Sequence, residues 1–461
     1  MRSLLLGLLP IACTVSSAAP SPDRMPIKRQ PPPSNAPIIE RGEGCSSEMA
    51  AGGVGRAAGG GAPGRPRMAD KASRAPEAEP ADIAPPPSPA PMQQPNGVRA
   101  GEWDDNANYR DYVKWLAQSS IKGKLDIAAR QFLVVTDKNG HAVPNCTIDV
   151  KGNGKQLSLV TMASGRALLF PHAMGFGDAE LTATAMCANA TATAKIAPNT
   201  LDGVVTLALD QPRALPARRT VDLAFVLDTT GSMQEEIDAV KQTIRTVADR
   251  LQRSQTDVRI GLVEYKDRSD CLLTRTFAFS SDLAGFANSV AAISAGGGGD
   301  MPEDMHAGLA AALDKLQWRK DAIARMVVVI GDAPPQFYAN ERHYDDIALR
   351  AAVRGIKLYT IAASGMDDLG QVVMRQMAQF TGASNMFVLR GGAGPQSVGG
   401  GDPKSSCGGT HDEYASDKLD ELIIRKLNTE LQAVDGLPLQ IPGRGQDENA
   451  KPCNQRLVVA N

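Results

Sequence analysis

The segment Asp228-Thr229-Thr230-Gly231-Ser232 puts a carboxylate and three hydroxyls into five residues. Its alternating part, Asp228-x-Thr230-x-Ser232, sets one carboxylate and two hydroxyls on a tight turn that opens a helix. Gly231 lets the backbone turn sharply there. Asp332 follows the apolar run Val327-Val328-Val329-Ile330-Gly331, as Asp228 follows Phe225-Val226-Leu227. Between them the loop Gly296-Gly297-Gly298-Gly299-Asp300-Met301-Pro302-Glu303-Asp304 adds further acid on small residues. Acidic loops that converge on one place need a cation, because a buried unpaired charge is too costly. Hard oxygen donors of this kind suit Mg²⁺, or else Mn²⁺ or Ca²⁺. Neutral hydroxyls leave such an ion under-neutralised, so an open position attracts an acidic residue of a protein partner. That is binding chemistry more than bond-breaking chemistry.

Each residue also has a plainer reading. Thr230 or Ser232 could cap the helix after it. Asp332 could cap a turn. Asp300, Glu303 and Asp304 could form a solvated helix start, where negative charge is favoured. Their joint placement at strand ends favours the metal.

The elements that carry these loops appear as hydrophobic periodicity. Residues 221–227 form an apolar strand interrupted only by Asp222. The pattern predicts helices at 234–251, 283–293, 303–316, 344–354, 368–380 and 417–434. It predicts strands at 258–265, 273–279, 326–330, 356–362 and 386–389. Apolar strands alternating with helices imply an α/β fold with a doubly wound, mostly parallel sheet covered on both faces. Ligands of such sheets sit at the carboxyl ends of the strands, near the point where strand order reverses. Asp228 and Asp332 both fall there. Glu264, Lys266 and Asp267 end the second strand near the same rim and read as rim electrostatics.

These residues resemble a known family. The Asp-x-Thr-Gly-Ser loop, the later Gly-Asp after an apolar strand and the closing helix look like the metal-ion-dependent adhesion site of von Willebrand factor A domains. The resemblance covers 220–434. It implies a Rossmann-like fold, a divalent metal held by Asp228, Thr230, Ser232 and Asp332, and protein binding or adhesion without catalysis. The family places a Thr on the middle loop, and this sequence has none there. Its Gly-Gly-Gly-Asp-x-Pro-Glu form resembles a subgroup that includes hemicentin and the alpha-kinase-linked A domains. Gly331-Asp332-Ala333-Pro334-Pro335 and Leu358-Tyr359-Thr360-Ile361 fit the same subgroup. The resemblance assigns Asp300 to the missing position, with Glu303 the alternative. An added carboxylate holds the metal better and weakens its pull on an acidic ligand.

Two other functions compete. Asp-Thr-Thr-Gly-Ser is superficially like the phosphorylation loop of haloacid-dehalogenase-like hydrolases, with Asp228 as nucleophile. Thr230 stands where that family needs a second Asp, and no further carboxylate closely follows Asp332. The other alternative keeps the A domain as an accessory subunit of a larger assembly, as in magnesium chelatase. An envelope assembly suits this chain better, because its start reads as an export signal. Gly296 to Gly299 lacks the Gly-Lys-Ser/Thr ending of a nucleotide loop.

The rest of the chain bounds the setting. A net charge of -2 and 4% aromatics give no electrostatic or stacking reason to expect nucleic acid. Residues 1–19 read as a secretory signal, too short to span a bilayer as a mature helix. Its end is either the small-residue site near Ser17-Ala18-Ala19 or a lipoprotein-type site at Cys13. A membrane is therefore expected only through a lipid anchor, and the location is the bacterial cell envelope, periplasm or outer membrane, or outside the cell. Residues 20–102 are Pro-, Gly- and Ala-rich and read as a disordered linker. A short helical segment at 103–128 is expected to pack on the folded residues after it. Residues 129–212 show alternating runs and turns that predict a small β-sandwich. Asp137, Gly140, Val143 and Pro144 resemble a hairpin of the carboxypeptidase-regulatory family. Cys146 and Cys187 lie within that segment and are the favoured disulfide pair. The Gly-rich 391–414 insertion, which contains Cys407, and the tail from 435 to 461 complete the chain.

Overall fold

The chain is seen in a computed structural model that describes residues 36–45 and 98–435, apart from 108, 120, 199–201, 217, 255, 300, 340, 364 and 389–414. The leader with Cys13, Asp300, the 391–414 insertion and the tail beyond 435 lie outside the described residues.

Val221, Leu223, Phe225 and Leu227 alternate with Ala224 and Val226 along one strand, and all six are buried. Buried residues on both faces mean a strand inside a covered sheet. This is β10 (Thr220–Asp228), flanked in parallel by β11 (Asp257–Tyr265) and β13 (Ala324–Gly331). β14 (Lys357–Ala362) and β15 (Asn385–Val388) extend the parallel run beyond β13. On the other side β12 (Leu272–Ser280) turns back antiparallel against β11. α2 (Ile237–Gln252), α3 (Leu283–Ala291) and α7 (Leu419–Ala433) pack with Leu223, Phe225 and Leu227 on one face. α4 (Met305–Asp314), α5 (Tyr344–Ala352) and α6 (Asp368–Phe380) pack with Ala224 and Val226 on the other. The doubly wound α/β reading therefore holds.

The sheet is wider than the sequence pattern predicts. β1 (Ile38–Arg41) and all but the last residue of β2 (Arg99–Trp103) come from the stretch read as disordered linker, and β16 (Ala415–Lys418) runs into the stretch read as the start of the last helix. All three pair antiparallel near the sheet edges. They are four or five residues long, too short to show a period. With them the sheet has nine strands among the described residues, in the order β1-β12-β11-β10-β13-β14-β15-β2-β16. The parallel strands reverse their order on either side of β10, so its carboxyl end and that of β13 border the crevice.

α1 (Tyr109–Gln118) packs against α6. Arg375 of α6 lies 3.8 Å over the Trp115 ring and donates to both oxygens of Asp105 just before α1 (2.9 and 2.7 Å). Between α1 and β10 in the chain come two small sheets. One joins β3 (Arg130–Thr136) to β6 (Arg166–Leu169) and β9 (Asp202–Ala208), in the order β6-β3-β9. The other joins β4 (Thr147–Gly152), β5 (Lys155–Val160), β7 (Leu181–Cys187) and β8 (Ala190–Ile196), in the order β5-β4-β7-β8. In β4, Ile148 and Val150 are buried and alternate with more exposed residues, as a sheet with one covered face requires. Cys146 and Cys187 form a disulfide beside the Thr147–Met186 pair that joins β4 to β7. Among the described residues, no helix is long and apolar enough to cross a membrane.

Candidate metal centre

Asp228 ends β10 and is fully buried. Its Oδ1 accepts the Thr230 amide (2.9 Å) and the Thr230 hydroxyl (2.7 Å). The Thr230 hydroxyl also lies 3.2 Å from that of Ser232, which donates to Asp332 Oδ1 at 3.0 Å. Asp228, Thr230, Ser232 and Asp332 thus form one continuous set of oxygens. It runs from the buried Asp228 to the exposed Ser232. A short helix, Gly231–Glu235, comes next, before α2. Thr230 stands at its cap position but makes no side-chain cap bond. The plainer reading of Thr230 as a helix cap therefore fails, because its hydroxyl is turned to the carboxylate.

The two described acids of the middle loop differ in role. Asp304 caps α4, accepting the Ala307 amide at 3.0 Å, as the plainer reading expects. Glu303 does something else. Its amide donates to Pro334 O (3.1 Å), and its carbonyl accepts from Gln336 N (2.8 Å). These bonds lace it to the loop just after Asp332. The residue is 3% exposed, and a side chain on Gly298 would meet Glu303 Oε1 at 2.9 Å and Thr230 Cβ at 3.2 Å. Gly298 has φ of +70°, so both its conformation and its surroundings exclude a larger residue. Glu303, the alternative to Asp300, is therefore placed against the Thr230 loop.

The electrostatics are those of buried acids with no basic side chain bonded to Asp228 or Glu303 among the described residues. Burial pushes the Asp228 carboxyl up to about 7, and the Asp332 charge adds to this against the Thr230 bonds. Burial and the charges of Asp228, Asp267 and Asp270 push Glu303 up to about 8. Burial also raises Asp332. Asp228 Oδ2 lies beside the Tyr265 hydroxyl, and neither atom has a hydrogen bond in good geometry. Glu303 Oε2 is likewise buried without a partner. Lys266 is the nearby cation, but its Nζ is committed to the carbonyls of Thr229 and Gly296. It staples two site loops together, a role its position at a strand end did not reveal. The rim reading suits Glu264, which pairs with Arg275, and Asp267, which accepts the Tyr338 hydroxyl at 3.2 Å. Among the described residues no group of three His, Cys, Asp or Glu side chains is placed to hold a metal ion, and the oxygens gathered here include two hydroxyls.

Under the Asp332 loop, His306 is 5% exposed, with Nδ1 2.9 Å from Gln336 O and its ring stacked 5.6 Å from His343. Burial, then the His343 charge, pulls it down to about 4. The unfolded chain takes up this proton near 6.5, the native one only near 4. Native stability is therefore lost as pH falls through that window, by ~3 kcal/mol for this group. His306→Phe should flatten the pH dependence of urea stability between about pH 6.5 and 4, while losing the Gln336 bond. An unchanged slope in the variant would contradict the assignment.

A family model matches the part of the chain that carries this sheet and site. Residues 222–391 match the family model of the von Willebrand factor type A domain and form such a domain. The chain is 36% identical over 126 residues to the alpha-protein kinase vwkA of Dictyostelium discoideum, covering 26% of this chain and 20% of the kinase. It is 30% identical over 124 residues to a putative ariadne-like RING finger protein, R811, of Acanthamoeba polyphaga mimivirus, covering 26% of this chain and 12% of that protein. The chain thus spans a fifth or less of the length of either relative. Among solved structures it aligns with proximal thread matrix protein 1 from the mussel byssus at 13% identity and a TM-score of 0.29. That alignment covers 36% of this chain and 41% of the byssus protein.

Proposed function

We propose that this chain is an exported envelope protein whose A domain holds a divalent metal and uses it in binding a protein partner. A domains generally mediate protein–protein interaction, and residues 222–391 are one. One comparison carries the metal. Asp222 and Asp228 lie on the same face of β10, and both are fully buried. Asp222 is bonded by Arg259 and Arg319. Asp228 has no basic side chain bonded to it among the described residues. The nearby Lys266 is bonded to backbone carbonyls instead, a buried carboxylate without a bonded cation is unfavourable, and a metal ion would supply one.

Asp228, Thr230, Ser232, Asp332 and Glu303 would hold the ion, with Asp300 a further donor on the same loop. Their oxygen chemistry fits Mg²⁺, and Mn²⁺ or Ca²⁺ next. When bound, the ion supplies an electrophilic position for a carboxylate oxygen of the partner. The chain's own residues orient the donors, with Thr230 held by Asp228 and Ser232 by Asp332. Glu303 adds a negative charge that tempers attraction for an acidic ligand. Export is supported by the leader-like start and by the two disulfides among the described residues, which suit an oxidising compartment.

Titrating the full chain with Mg²⁺ or Mn²⁺ should raise its melting temperature. Saturation at about a hundred times Kd corresponds to about 2.7 kcal/mol. The partner captured from envelope extract should be released by EDTA. A melting temperature indifferent to Mg²⁺, Mn²⁺ and Ca²⁺ alike would end the metal reading, and capture unaffected by EDTA would end its use in binding.

A further inference from the structure

The turn between β11 and β12 touches every loop of the site. Asp270 Oδ2 accepts the Gly298 amide at 2.8 Å. Asp267 accepts the Tyr338 hydroxyl on the Asp332 loop. Arg268 pairs with Glu341 (2.6 Å) and Asp304 (3.4 Å) and lies 3.7 Å over the Tyr338 ring. This turn is itself exposed at Ser269 and Cys271, so something must fix it.

The N-terminal strand does so. β1 pairs along β12 with Ile38 opposite Thr276 and Glu40 opposite Thr274. Glu40 accepts the Thr274 hydroxyl at 2.6 Å and pairs with Lys315. Beyond the strand, Gly42 N donates to Cys271 O (3.2 Å) and Glu43 N to Arg268 O (2.8 Å). Cys45 then forms a disulfide with Cys271, 226 residues away. Gly42 and Gly44 run so close to the carbonyls of 268–270 that any side chain would collide with them. A four-residue edge strand alone is weakly held, and elements of this kind open locally at little cost. The covalent tie removes that freedom.

We propose that the β1 strap, its Cys45–Cys271 disulfide and Asp270 are positioning elements for the metal-binding loops. The strap fixes the 267–271 turn. Asp270 then fixes Gly298, whose place brings Glu303 against Thr230. A side chain at Gly297 would collide with Asp270, so the contact leaves no slack. The inference rests on the metal reading for its functional meaning, but the mechanical coupling has its own readout.

The test uses the full chain with Cys45→Ser/Cys271→Ser, Asp270→Ala, Asp270→Asn and, as control, Cys146→Ser/Cys187→Ser. Hydrogen exchange is followed at residues 295–304 and at β13, and Mn²⁺ affinity by calorimetry. The strap variant and Asp270→Ala should each speed exchange at 295–304 about tenfold and leave β13 unchanged. Both should weaken Mn²⁺ binding several-fold. Asp270→Asn, which keeps an acceptor for Gly298 N, should largely restore loop protection, and the control pair should leave the loop as in wild type. Unchanged exchange at 295–304 in the strap variant overturns the proposal, as does a uniform rise that includes β13. If the wild type binds no Mn²⁺, the metal reading falls, while the exchange result still decides the coupling.

Discussion

Asp228→Asn is expected to stabilise the metal-free protein at about pH 8 and to abolish its response to Mg²⁺ or Mn²⁺. The substitution keeps the shape of the side chain and an acceptor for the Thr230 amide and hydroxyl. It removes a charge that burial and Asp332 both oppose. A carboxylate pushed up to about 7 holds its proton more tightly in the native state than in the unfolded chain. Its best contribution to stability lies below the unfolded value near 3.8 and is lost as pH rises toward 7. Above that range the relief should be about 2–4 kcal/mol, or about 5 °C or more for a domain of this size. The advantage should shrink by about pH 5, where wild-type Asp228 keeps its proton. With saturating metal the order inverts, because only wild type gains the binding free energy. Thermal melts at both pH values, with and without Mn²⁺, read all the states involved. A metal-dependent shift that survives in Asp228→Asn would remove Asp228 from the site.

The parts of this fold that were legible in sequence are those with a period. β10, β13 and β14 are apolar runs bounded by turns, and α6 spans the predicted 368–380. Asp228, Thr230, Ser232 and Asp332 were legible because each sits next to such a run, so its end of the sheet could be named. Glu303 was only half legible. Nothing in Gly-Asp-Met-Pro-Glu-Asp says that Glu303 lies against the Thr230 loop. That is decided by the bonds of Glu303 to Pro334 and Gln336, which belong to another loop. β1 was not legible, since Ile-Ile-Glu-Arg stands in a Pro-rich stretch and gains its strand only by pairing with β12, far along the chain. Lys266 read as a rim charge, and Asp270 carried no signal, for the same reason. Their roles depend on which carbonyl or amide the other loops bring to them.

Asp222→Ala should act in the opposite direction, although it removes the same chemical group from the same face of the same strand. Asp222 accepts from Arg259 Nε (3.0 Å) and Nη2 (2.7 Å), and from Arg319 Nε (2.8 Å) and its amide (2.7 Å). Those arginines are only 24% and 18% exposed and also reach Gln317 O, Asp257 and Val221 O. Truncation leaves two partly buried guanidiniums facing each other without their shared anion. Losing one member of such a network costs about 3–5 kcal/mol, here toward the lower figure because water reaches both arginines. The stretch of strand from Asp222 to Asp228 spans roughly 20 Å, far enough for the two sites to behave additively. Asp222→Ala should therefore lower the urea midpoint sharply and leave Mn²⁺ affinity unchanged. Asp228→Asn raises the midpoint of the metal-free protein and removes the affinity. If both substitutions destabilise the metal-free protein alike, Asp228 already has a counter-charge and the site has no need of an ion. If their signs differ, β10 carries a structural carboxylate at one end and a binding one at the other, told apart by whether the chain supplies the cation.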